Sequence, residues 1–128
     1  MRIEHVALWT KNLEKMRSFY VKFFGGISNE KYINRNTQFE SYFIRFESGA
    51  RLELMEMPSV VAKQNNMLHT IGYAHIAFSV GSKEEVDALT AQLQAEGYTI
   101  HSLPRQTGDG YYESCVLDPD GNLVEITT

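Results

Sequence analysis

Val6 and Leu8 alternate with His5, Ala7 and Trp9. That period of two predicts a first strand. The spacing then changes. Leu13, Met16, Phe19, Tyr20, Phe23 and Phe24 recur at helical intervals after Asn12, a suitable N-cap, and Gly25-Gly26 supply the stop. Three extended segments are expected next, about 27–33, 38–47 and 51–57. The same grammar returns about 70 residues later. Tyr73–Val80 reads as a strand, and Ser82 and Glu85 have capping-box spacing. Val86, Leu89 and Leu93 form a helical stripe that Gly97 ends. Extended segments are expected at about 98–103, 110–117 and 123–127.

The halves also match residue by residue. His5-Val6-Ala7-Leu8 parallels His75-Ile76-Ala77-Phe78, and Ser48–Leu54 parallels Asp120–Ile126. The expectation is an α+β fold: one domain, 1–128, of two tandem βαβββ modules. Module 1 spans about 1–57 and module 2 about 72–128. They are joined by a linker, about 58–71, with room for one helical turn. Two copies of such long units suit a duplicated compact domain better than a solenoid.

Each repeat keeps a His in its first strand and a Glu in its last. Glu53 lies between Leu52 and Leu54, and Glu125 between Val124 and Ile126. Alternation sends the aliphatics to the helix-packed face and the acids to the other. His5 and His75 go to that other face by the same argument. If first and last strands are neighbours, about 4.8 Å apart, each module offers one His beside one Glu. A lone strand His is ordinarily structural and a lone strand Glu solvated. Recurrence of all four at equivalent positions favours a metal site instead. Imidazole suits Zn, Ni, Cu or Fe, while carboxylate also suits Mn and Mg. An octahedral ion with four protein ligands keeps two places for water or substrate.

Composition narrows the partners. The 128 residues carry 12 Lys and Arg against 16 Asp and Glu, net −4. Scattered, outnumbered basic residues argue against nucleic acid. No apolar run is long enough for a membrane helix, and the first residues lack a signal-peptide core. The single Cys115 precludes an internal disulfide and reads as a structural thiol in an apolar strand. A cytoplasmic domain with a small-molecule substrate is expected. His69 and His101 have no repeat partners and read as peripheral.

At His5-Val6-Ala7-Leu8, Leu52-Glu53-Leu54, Gly72–Phe78 and Asp118–Ile126 the chain resembles the vicinal oxygen chelate superfamily, nearest its bacterial glyoxalase I members. The resemblance covers essentially the whole chain. It implies modules folded as an incomplete, cup-shaped barrel, often in a homodimer. It also implies a divalent metal, Ni or Co favoured, held by His5, Glu53, His75 and Glu125. The implied reaction isomerises a thiol–methylglyoxal hemithioacetal through a metal-held enediolate, with Glu125 or Glu53 moving the proton. Where that pattern has an Arg and an Asn for glutathione, this chain has Trp9 and Met57. Arg45, Arg51 or Arg105 would have to compensate, although such residues are more often solvated. Trp9, Tyr42, Tyr111 and Tyr112 are candidate lining, and Phe43 reads as ordinary sheet packing. Other readings stay open: an epimerase, thiol transferase or dioxygenase of the superfamily, or a metal-free small-molecule or antibiotic-binding protein.

Overall fold

The computed structural model describes residues 1–62 and 71–128. Most of the expected linker, and His69, lie outside the described residues. The chain divides into two compact units, one on each side of that segment.

The first unit contains β1 (His5–Trp9), α1 (Leu13–Phe24), β2 (Ile27–Ser28), β3 (Tyr32–Asn34), β4 (Phe39–Arg45) and β5 (Arg51–Glu56). Its mixed sheet has the order β1-β5-β4-β2, with β3 also paired to β4. β1 runs parallel to β5, while the other pairs are antiparallel. First and last strands of the unit are thus neighbours. The second unit contains β6 (His75–Ser79), α2 (Lys83–Ala95), β7 (Ile100–Gln106), β8 (Tyr112–Leu117) and β9 (Leu123–Thr127), ordered β6-β9-β8-β7. β6 and β9 are parallel, repeating β1 and β5. The fold is therefore α+β, with a mixed sheet and a helix in each unit.

Local signals explain the elements. Asn12 accepts the Lys15 amide with its side chain, and Gly25 closes α1 at φ +64°. Ser82 accepts the Glu85 amide at 3.2 Å at the start of α2. In the β8–β9 turn, Asp118 Oδ1 accepts the amides of Asp120 and Asn122 at 3.0 and 2.9 Å. Gly121 there has φ +78°.

Each helix covers one sheet face. Met16, Phe19 and Tyr20 of α1 are buried with Ile44, Leu52 and Leu54. Val86 and Leu93 of α2 are buried with Val116, Val124 and Ile126. Each such side chain contributes about 1.5–3 kcal/mol relative to exposure. The buried Thr90 hydroxyl meets Ser114 Oγ at 2.6 Å, so neither hydroxyl enters the core unpaired.

Two expected segments differ. The stretch 27–33 is two strands, because Asn29 interrupts the ladder. Its side-chain Oδ1 accepts the Phe43 amide at 2.8 Å, while its own amide donates to Phe43 O. The segment expected at 98–103 becomes Ile100–Gln106 and carries Pro104 inside it. β7 is an edge strand with register shifts against β8, where a missing amide is tolerated.

Candidate metal centre

Alternation along β1 and β5 sorts their side chains. Leu52 and Leu54 are buried on the α1 side. His5, Ala7, Trp9 and Glu53 take the opposite face. The parallel register sets Ala7 opposite Glu53 and His5 opposite Arg51. His5 and Glu53 are therefore diagonal neighbours, and the small Ala7 leaves the diagonal open. His5 Nε2 stands 3.8 Å from Glu53 Oε2.

The second unit repeats this. Ala77 lies opposite Glu125 and His75 opposite Leu123. His75 Nε2 stands 3.5 Å from Glu125 Oε2. In both pairs the imidazole is open and the acid sheltered: 42% and 44% exposure for the histidines, against 16% and 21% for the glutamates.

These distances suit a shared cation. Two ligand atoms each about 2.0–2.2 Å from one ion stand no more than about 4.4 Å apart, and both pairs meet that limit. Imidazole nitrogen and carboxylate oxygen together match borderline divalent metals. Within each unit the structure brings the expected His and Glu together. Among the described residues there is no group of three or more His, Cys, Asp or Glu placed to hold a metal.

Around each pair the surroundings differ. His5 Nδ1 lies 2.5 Å from Glu4 Oε2. Glu4 Oε1 accepts a hydrogen bond from Arg51 Nη2. Its hydrogen bonds with His5 and Arg51 hold the Glu4 carboxyl below the usual range. The Phe43 ring meets His5 edge-on at 5.5 Å, and the Arg51 guanidinium lies 4.2 Å over it. Phe43 thus belongs to the site face, correcting its reading as ordinary sheet packing. Arg51 is engaged by Glu4 and Phe43 while its side chain stays 41% exposed.

In the second unit, Cys115 lies opposite Glu125, and Glu113 is two residues away on the same face of β8. Burial and the neighbouring charges of Glu125 and Glu113 push the Cys115 thiol up to about 11. Burial, followed by the charge of Glu125, also raises the Glu113 carboxyl. Arg105 Nη2 lies 3.5 Å from Glu113 Oε1. Cys115 is half-buried, so the structural-thiol reading describes its reactivity better than its position.

Glu4, Glu113 and Phe43 were not legible as site residues. Strand parity was available for Glu113, since Ser114 and Val116 face α2. The reach of Glu4 to His5 had no sequence signal.

Other expected lining residues divide. Trp9 stays on the site face, half exposed, and packs edge-on to Phe39 at 6.2 Å. Tyr42 does not: it is buried on the α1 face and donates to Glu14 at 3.0 Å. It sits between Ser41 and Phe43, so alternation turns it inward when Phe43 turns outward. Tyr112 bonds Asp87 of α2 at 2.8 Å. Tyr111 is exposed just before β8, and His101 is exposed on the edge strand β7. A cleft of about 400 Å³ in the first unit is lined by Lys11, Gln38, Glu40, Glu56, Met57, Pro58 and Val60.

The chain is 27% identical over 127 residues to an uncharacterized protein, YqjT, of Bacillus subtilis (strain 168), covering 97% of this chain and 96% of that one. Among solved structures it is similar to a V278E mutant of glyoxalase I from Zea mays, with TM-score 0.82 and 21% identity. That match covers 98% of this chain but 44% of the maize chain, so this chain spans less than half the maize enzyme's length. It is also similar to lactoylglutathione lyase from Agrobacterium tumefaciens, with TM-score 0.70, 25% identity, and coverage of 98% and 91%. No helix of the described residues is long and apolar enough to cross a membrane. Residues 2–126 match the model of the Glyoxalase/Bleomycin resistance protein/Dioxygenase superfamily, and the chain belongs to that superfamily.

Proposed function

We propose that this chain is a divalent-metal-dependent lyase or isomerase of glyoxalase I type. Its substrate is a thiol–methylglyoxal hemithioacetal or a similar small dicarbonyl adduct. The observation that carries this reading is the duplicated His–Glu pair. Two separate sheets place an imidazole Nε2 within 3.8 and 3.5 Å of a carboxylate at equivalent register positions.

His5, Glu53, His75 and Glu125 would hold the cation, with Ni or Co favoured. When bound, a divalent cation stabilises substrate oxygens that become negative as the adjacent carbon loses its proton. The chain supplies the remainder. Glu125 or Glu53 takes that proton and returns it to the neighbouring carbon. The sheltered position of both acids favours the transfer over exchange with bulk water. Trp9 and Phe43 give the face an apolar rim against which a small dicarbonyl adduct packs.

Trp9 and Met57 replace the expected glutathione contacts, which favours a different thiol partner. The expected assembly is a homodimer. The test is a panel of thiol–methylglyoxal adducts assayed with E53Q and E125Q in the nickel-loaded protein. Isomerisation of at least one adduct is expected, and one or both variants should abolish it while the fold persists. Full activity in both variants defeats the assignment of the base. Metal binding without turnover favours another enzyme of the superfamily, and no metal uptake favours a metal-free binding protein.

A further inference from the structure

The two halves share their His–Glu geometry but not what lies behind the histidine. In the first unit, Glu4 reaches round to His5 Nδ1 at 2.5 Å and is itself gripped by Arg51. Three further contacts fix this arrangement. The Arg51 amide donates to Glu4 O at 3.0 Å, extending the β1–β5 pairing by one residue. The Arg51 guanidinium lies 4.2 Å over the Phe43 ring, and Phe43 meets the His5 ring edge-on. In the second unit Ala74 stands where Glu4 stands, and Leu123 lies opposite His75 where Arg51 lies opposite His5.

A carboxylate only accepts hydrogen bonds, so it selects the imidazole form with hydrogen on Nδ1. The lone pair then falls on Nε2, the nitrogen facing Glu53. We propose that Glu4, clamped by Arg51, is a positioning residue that fixes the ring and tautomer of His5 so that Nε2 is offered to the cation. Among the described residues no carboxylate stands behind His75 in this way, so the two half-sites are inequivalent: the first is pre-oriented and the second is not. This inference rests on the metal-centre reading. Its chemistry is that of a carboxylate behind a metal-binding imidazole, whose loss typically costs about 10–100-fold in metal affinity.

The experiment uses the full chain and nickel alone. Glu4 is half exposed, so Glu4→Ala should leave the fold intact. Nitrogen NMR of the metal-free protein at pH 8, assigned with H5A, reads the tautomer of His5 and of His75 together. Nickel titration reads affinity. Wild type should show His5 with hydrogen on Nδ1. E4A should lose that preference and bind nickel about 10–100-fold more weakly, with the His75 signals unmoved. Glu4→Gln keeps an acceptor oxygen and should lie nearer wild type in both readouts. A wild-type tautomer together with wild-type affinity in E4A overturns the proposal. So does a His5 ring that carries its hydrogen on Nε2 in the wild-type protein. If wild type binds no nickel, the metal-centre reading falls, and the tautomer comparison still decides what Glu4 does.

Discussion

His5 and Glu53 lie diagonally across a parallel strand pair, with Nε2 and Oε2 3.8 Å apart and Ala7 in register with Glu53. The size of Ala7 matters because it faces Glu53 directly. Ala7→Leu should place a branched side chain across the diagonal. Nickel affinity should fall about tenfold or more, the scale seen when a metal ligand loses its support. Ala7 is exposed, so the unfolding free energy from urea denaturation should change by no more than about 0.5 kcal/mol. Unchanged nickel titration in A7L would show that the pair does not need the open diagonal.

Gly26, two residues after α1, leaves no room for a side chain against the sheet. A Cβ there would stand 2.4 Å from Ile44 Cγ2 and 3.1 Å from Tyr20 O. Ile44 is fully buried and cannot swing away. Gly26→Ala should destabilise the protein by about 1–3 kcal/mol, the usual cost of overpacking. Urea denaturation checks this, and a wild-type midpoint would contradict the packing described.

Glu14 and Lys31 meet at 2.7 Å. Hydrogen bonding to Lys31, and then to Tyr42, holds the Glu14 carboxyl below its ordinary 4.5. A depressed carboxyl stabilises the fold above its unfolded value and loses that contribution as pH falls through the folded one. Wild type should therefore exceed Glu14→Gln in stability at pH 7, by about 0–1 kcal/mol for so exposed an acid. The difference should shrink below pH 4.5. Urea midpoints at pH 7, 4.5 and 3 test the sign, and a difference growing toward acid pH would refute it.

Cys115 should be a slow thiol. Burial and two adjacent carboxylates place it at about 11, so little thiolate exists at pH 8. Alkylation of the metal-free folded protein should be much slower than that of the urea-unfolded chain and should accelerate steadily toward pH 11. Equal rates at pH 8 would show that the thiol is neither sheltered nor opposed by Glu113 and Glu125.

Much of this architecture is written in periodicity. The shift from period two at Val6 and Leu8 to helical spacing at Met16, Phe19 and Tyr20 marks β1 and α1, and the repeat pairs Glu53 with Glu125. Parity suffices there because aliphatics flank each acid and only one face is packed. It was weaker at Tyr42 and Phe43, adjacent aromatics either of which suits a core. The choice was made by Glu14, 28 residues away, which gives the Tyr42 hydroxyl a partner. The break at Asn29 was hidden too, since it depends on a side-chain oxygen replacing a ladder acceptor. Glu4 shows a further limit: a strand neighbour should point away from His5, yet its flexible side chain curls back to Nδ1.

The central claim is that the two His–Glu pairs serve a divalent cation. The most direct measurement is nickel stoichiometry by titration of the metal-free full chain, alongside His5→Ala and His75→Ala. The account predicts about one ion per set of His5, Glu53, His75 and Glu125, with binding severely weakened in each variant while the fold remains. No uptake by the wild-type protein, or uptake that both variants retain, would contradict it.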